Sequence, residues 1–232
     1  MPVLMLIVSY IPALLIFLYF QSLKKDDAEY RKDLNELILK GAISSFPILG
    51  LSFVFNLLLK LTGVQAKYPL LGTALHDFIV LALSEEIVKF VTGNKIVKKN
   101  EAKNNWLDII VYMSMAAFGF ELLESLVYMF TTNTMQILVR GITAMHVSMA
   151  MFVGYFYGKS KYTGNKFWLV FGFVMMWIVH GSFDFLLSPE MEEYGYIAVF
   201  LAIWSLINMI VTVVIVAKGR KQEKYTKPFS EM

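Results

Sequence analysis

The sequence contains no cysteine. Disulfides, thiolate nucleophiles and thiolate-bound metals are therefore excluded. Histidine is almost as scarce, with three in 232 residues, so any metal site must combine imidazole with carboxylates. Charge is sparse as well. Asp, Glu, Lys and Arg make up 17% of the chain, against about 25% in an average soluble domain. The net charge of +3 is small and the basic residues fall in loops rather than on one face, which argues against a nucleic-acid partner. No His-Glu-x-x-His run, Gly-x-Ser-x-Gly elbow or Gly-rich phosphate loop is present. The first 20 residues are apolar but lack a basic leader and a small-x-small cleavage site, so they are expected to be a retained span. Internal repeats and low-complexity tracts are also missing, and a single domain over residues 1–232 is expected.

What the chain has in excess is apolar surface. It is 57% hydrophobic with a mean hydropathy of +0.60. Each membrane span takes about 20 apolar residues. Candidate spans lie at about 2–20, 41–61, 70–92, 105–131, 135–158, 166–187 and 194–217. The fold class is therefore all-α: a polytopic membrane protein of about seven helices in one bundle, embedded in the lipid bilayer. Residues 21–40 mix charges with Leu34, Leu37 and Ile38 and read as a solvated linker or short interfacial helix. Lys and Arg concentrate in 21–40, 93–104, 159–166 and the 218–232 tail, while the alternate loops are poor in them. The positive-inside rule then puts the N-terminus outside and the C-terminus, with the linker and tail, in the cytoplasm.

Two adjacent acids, Glu85 and Glu86, lie in a stretch that otherwise reads as membrane. An ionised carboxylate in hydrocarbon costs several kcal/mol or more unless paired or hydrated, so intramembrane acids mark a functional site. Other ionisable groups fall in later spans: Lys89 on the same one, then Glu121 and Glu124, then Arg140 and His146, then His180 and Asp184. His76 and Asp77 stand near a span end, where a structural role is expected. Glu85 and Lys89 are four apart in the favourable acid-before-base order. His180 and Asp184 share the same spacing, so Asp184 can hold the imidazole and fix its tautomer. Glu121 and Glu124 share a face, and glycines at 119, 154, 158, 172 and 181 allow close helix approach.

This set supports two chemistries. In one, His146, His180 and a glutamate such as Glu86 bind a divalent metal such as Zn²⁺, and the other glutamate is the base. In the other, no metal is used: a glutamate takes a proton from water while a histidine stabilises the oxyanion. For all these residues to meet, the glutamates must reach mid-depth, which requires the third helix to run past Thr92 to about Val97. A proton-coupled transporter is the rival reading, and a catalytically silent scaffold or immunity protein of the same fold is another.

The string Glu85-Glu86-x-x-Lys89 resembles the first motif of the PrsW intramembrane proteases, within the wider CAAX-protease and bacteriocin-processing superfamily. Phe120-x-x-x-Glu124 resembles the second, with Ser125 where the family has Asn. His146 ahead of Gly154 matches a third element, and His180-x-x-x-Asp184 a fourth. The four occur in order over about residues 80–187. The resemblance implies a peptidase with Glu85, Glu86, Glu124, His146, His180 and Asp184 as its catalytic set. It further implies site-1 cleavage of a single-span membrane anti-sigma factor, and residence in a bacterial cell membrane.

Overall fold

The computed structural model describes residues 2–131, 141 and 143–231. Arg140, and the start of the span expected at 135–158, lie outside them. Helices dominate the described residues, with no strands among them. In chain order they are α1 (Pro2–Leu23), α2 (Ala28–Ile43), α3 (Ser45–Leu61), α4 (Val64–Lys67), α5 (Pro69–Leu75), a π-helical segment (His76–Leu83), α6 (Ser84–Lys99), α7 (Trp106–Thr131), α8 (Met145–Thr163), α9 (Phe167–Leu186), α10 (Tyr196–Gly219) and α11 (Glu223–Thr226). Short 3₁₀ turns cover Pro189–Tyr194 and Phe229–Glu231.

The central helix is α7. An 18-residue apolar stretch of α7 is 78% buried, against 28% for those of α1, α9 and α10. An apolar helix enclosed on all sides belongs in the middle of a bundle. Helices α2, α6 and α8 surround it; α9 and α10 pack on α8, and α3 packs on the π segment and α6. Among the described residues, five stretches are long and apolar enough to cross a membrane: Leu6–Leu23, Ala28–Leu61, Trp106–Val127, Phe167–Leu186 and Tyr196–Gly219. The expected spans at 70–92 and 135–158, which carry Glu85, Glu86, Lys89 and His146, are not in that set, and the second begins outside the described residues.

Residues 21–40 are more structured than a solvated linker. Asp27 caps α2 by accepting from the Tyr30 backbone N–H at 2.9 Å. Tyr30, Leu34 and Leu37 then form a buried stripe at helical spacing. Backbones touch where α2 crosses α7. A Cβ on Gly119 would stand 2.0 Å from the Ile38 carbonyl oxygen, and one on Gly41 would stand 2.1 Å from that of Ala116. Only glycine permits this approach. Asp33 is buried on the same helix and takes Lys99 Nζ at 2.7 Å and the Asn100 side-chain amide. The charges between the apolar positions hid this packing in the sequence. Through Asp33, α2 fastens the far end of the glutamate helix.

That helix is the longest element. From Pro69 to Lys99 the chain is helical without a break, through α5, the π segment and α6. At about 1.5 Å per residue it is roughly 45 Å long, more than the ~30 Å of a hydrocarbon core. The extension expected beyond Thr92 is present, and it places the glutamates near the helix midpoint. Beyond α10, the tail docks on the loop between α6 and α7. Lys224 Nζ sits 5.1 Å from the Trp106 ring centre and 5.3 Å from those of Tyr162 and Tyr225. Asn105 Nδ2 donates to Thr226 O at 3.3 Å, Phe229 N to Asn104 O at 3.0 Å, and Ser230 Oγ to Ala102 O at 2.6 Å.

Candidate active site

Four helices bring the ionisable residues together. α6 supplies Glu85, Glu86 and Lys89; α7 supplies Glu121 and Glu124; α8 supplies His146; α9 supplies His180 and Asp184. Glu85, Glu86, Lys89, Glu121, His146 and His180 are all buried. His76 and Asp77 stand apart, bonded to each other at 3.0 Å at the start of the π segment.

Lys89 is the hub. Its Nζ lies 2.7 Å from Glu86 Oε1, 3.6 Å from Glu85 Oε2 and 2.9 Å from His146 Nδ1. It also stands 4.9 Å from the centre of the Phe120 ring. An ammonium only donates, so His146 Nδ1 accepts and the ring proton sits on Nε2. Nε2–H donates to Glu124 Oε2 at 2.6 Å. His146 is thus fixed from both ends, and Phe120 meets its ring edge-on at 5.1 Å. Glu121 supports the same turn by accepting from the Val147 N–H at 3.3 Å.

His180 is held differently. Its Nδ1–H donates to Glu86 Oε1 at 2.9 Å. Its Nε2 lies 3.3 Å from Asp184 Oδ2 and 3.6 Å from Glu85 Oε2. Both His180 Nε2 and Glu85 Oε2 are buried and neither has a hydrogen-bond partner. With the proton on Nδ1, the Nε2 lone pair faces oxygens of both Asp184 and Glu85, with Lys89 3.6 Å from the Glu85 oxygen, an arrangement that favours a further cation or a proton at Nε2. The two imidazole rings are 5.1 Å apart.

Glu85, His146 and His180 each offer a ligand atom, all within 4.8 Å of one another. Ligand bonds of about 2.0–2.2 Å to Zn²⁺ put neighbouring donors roughly 3.4 Å apart, so the 3.6 Å pair already fits and the third needs a small inward move. His146 joins the set by releasing either Lys89 or Glu124. The carboxylate here is Glu85, where the sequence pattern put Glu86. The reason is that Glu86 Oε1 is occupied by Lys89 and His180 Nδ1. Glu86, Lys89 and His146 also line a cavity of about 10 Å³, about the space of one water, together with Phe90, Met113 and Phe173.

Comparison with known proteins decides the lineage. The family model described as PrsW family intramembrane metalloprotease matches residues 34–217. The chain belongs to the PrsW family of intramembrane proteases. It is 30% identical over 231 residues to a protein named Protease PrsW from Clostridioides difficile (strain 630), covering 94% of this chain and 90% of that one. A Protease PrsW from Geobacillus kaustophilus (strain HTA426) is 27% identical over 199 residues, covering 83% and 84%. Another from Bacillus subtilis (strain 168) is 23% identical over 195 residues, covering 82% and 85%. No solved structure matches. The PrsW match spans every residue of the cluster, from Glu85 to Asp184.

Sequence reasoning gave Lys89 too small a part. Its spacing suggested one ion pair with Glu85. In the fold it lies closer to Glu86 and bridges to His146 on another helix. Its position inside a span, among three acids, was the signal for that larger role.

Proposed function

We propose that this protein is an intramembrane endopeptidase that cuts single-span membrane proteins with a water activated by the glutamate pair. The observation that carries the reading is the pair of unbonded buried atoms, Glu85 Oε2 and His180 Nε2, 3.6 Å apart. A structural network satisfies its buried polar atoms; two left facing each other suit a site that takes up a ligand.

Glu85, His146 and His180 would hold a divalent metal such as Zn²⁺. Bound there, such an ion polarises a carbonyl and lowers the pKa of a water. Glu86 lines the one-water cavity and is the carboxylate left to accept the water's proton. Lys89 holds Glu86 in place, and Glu86 fixes the His180 tautomer, as a partner behind a ligating imidazole does. Asp184 Oδ2, 3.3 Å from Nε2, adds a second carboxylate beside the position a cation would take. Glu124 orients His146. In a metal-free route the same Glu86 takes the proton, and the Lys89 ammonium is the donor available to the developing oxyanion.

Seven spans complete the topology, with the Pro69–Lys99 helix and α8 added to the five apolar stretches, the N-terminus outside and the C-terminus cytoplasmic. Loop charges support that orientation. A bacterial cell membrane is its setting. The resemblance to PrsW proteins supports a single-span anti-sigma factor as substrate, cut at site 1. The test uses purified protein in liposomes with a single-span substrate. Glu85→Ala, Glu86→Ala and His180→Ala should each abolish cleavage while the protein stays folded. Cleavage by a Glu85→Ala, Glu86→Ala double variant would end the assignment. Chelation followed by metal return separates the two routes.

A further inference from the structure

The helix that carries the glutamates changes its hydrogen-bond pattern just before them. Residues His76–Leu83 are π-helical, and α6 begins at Ser84. A π stretch takes up extra residues within a helix, and each extra residue turns all that follows by about 100° relative to an unbroken α-helix. The face that Glu85 and Glu86 present to His180 therefore depends on this segment keeping its form. π-Helices are rare and short when left to themselves, so something outside the helix must favour this one.

Two side chains from other helices do so. Trp177 Nε1 on α9 donates to Phe78 O at 2.6 Å. Ser52 Oγ on α3 donates to Val80 O at 2.9 Å. Both acceptors are backbone carbonyls inside the π segment. Trp177 is one helical turn ahead of His180, on the same helix. On the other side of His180, Gly181 lies so close that a Cβ there would be 3.0 Å from Phe78 Cα. The contacts on α9 thus flank His180 and both fall on Phe78, seven residues before Glu85. An indole in a membrane protein commonly directs its N–H to the lipid headgroup region. This one spends it on a backbone carbonyl instead.

We propose that Trp177 is a positioning residue which, with Ser52, holds residues 76–83 in the π form and so sets the angle at which Glu85 and Glu86 meet His180. The proposal rests on the protease reading of that site. It makes α9 serve twice, once through the His180 ring and once as the clamp that aims the opposing carboxylates.

The test is Trp177→Phe, Ser52→Ala and the double variant of the full chain in liposomes, with Trp168→Phe as a control on the same helix. Trp177→Phe keeps an aromatic ring and loses the donor. The expected result is a kcat lower by about ten- to a hundredfold, the scale of a small misplacement of reacting groups, with KM unchanged. Ser52→Ala should fall less and the double variant more. Hydrogen exchange should quicken in peptides covering 76–86 and stay unchanged in α7 peptides. Full kcat in the double variant would overturn the proposal. So would a uniform rise in exchange over all helices, which marks general destabilisation. If Glu86→Gln cleaves normally in the same assay, the glutamate-activated water fails; if the wild-type chain cleaves nothing, the protease reading fails; in either case exchange in 76–86 alone decides whether Trp177 holds the segment.

Discussion

His180 Nδ1 and Glu86 Oε1 are 2.9 Å apart, joining residues 94 positions distant in the chain. The bond separates the two glutamates by role. Glu86 is committed to Lys89 and the His180 N–H; Glu85 keeps an oxygen with no hydrogen bond. On the metal route, Glu85→Ala should therefore abolish metal binding by the purified protein. Glu86→Gln should only weaken it, by about 10–100-fold, as loss of a partner behind a ligand does. Metal content by mass spectrometry after dialysis checks this, and equal losses in the two variants would contradict the division of labour.

Lys89 neutralises a buried acid, so its removal should be costly. Breaking a buried ion pair from one side costs about 3–5 kcal/mol, because the other charge is left uncompensated. Lys89→Met should lower the unfolding midpoint sharply and abolish cleavage. Adding Glu86→Gln to it should restore much of the stability and none of the activity. Thermal unfolding in detergent, run beside the cleavage assay, reads both.

Ala144 has φ 41° and ψ 54°, the left-handed region, directly before the helix that carries His146. This conformation costs an L-residue about 1–2 kcal/mol. Ala144→Gly should raise stability by up to about 1 kcal/mol, after allowing for the greater freedom of glycine in the unfolded chain. Ala144→Val should lower it. Denaturant titration of the three proteins gives the order, and a less stable glycine variant would show that the site is unstrained.

At the α2–α7 crossing, Gly119→Ala should cost about 1–3 kcal/mol, since the new methyl meets the Ile38 carbonyl oxygen at 2.0 Å. Gly50→Ala is the comparison. Nothing lies within 4 Å of its added Cβ, so it should be neutral or stabilising by up to about 1 kcal/mol through helix propensity. Parallel melting curves decide, and equal effects would mean that the close approach contributes nothing.

The cluster was legible in the sequence because ionisable side chains stand out against apolar surroundings. Glu85, Glu86, Glu124, His146, His180 and Asp184 all converge as that contrast suggested. The length of the glutamate helix followed too, from the need to bring Glu85 and Glu86 level with His180. What could not be read was which glutamate faces which partner. Adjacent residues on a helix point about 100° apart, and the π segment shifts that angle with no sequence mark. Asp33 was hidden for another reason. Its partners, Lys99 and Asn100, are far along the chain, so a locked acid looked like a solvated one. The helix that carries Glu85, Glu86 and Lys89 is absent from the apolar stretches because the residues that work in it are polar, whereas α7 and α9 carry site residues and remain apolar enough to span.

The docked tail has a practical consequence. With Lys224 lodged among three rings and Phe229 and Ser230 tied to the loop after Lys99, anything fused behind residue 231 pulls on the joint between the glutamate helix and the central helix. An affinity handle or fluorophore placed there is a lever on the enzyme as well as a label.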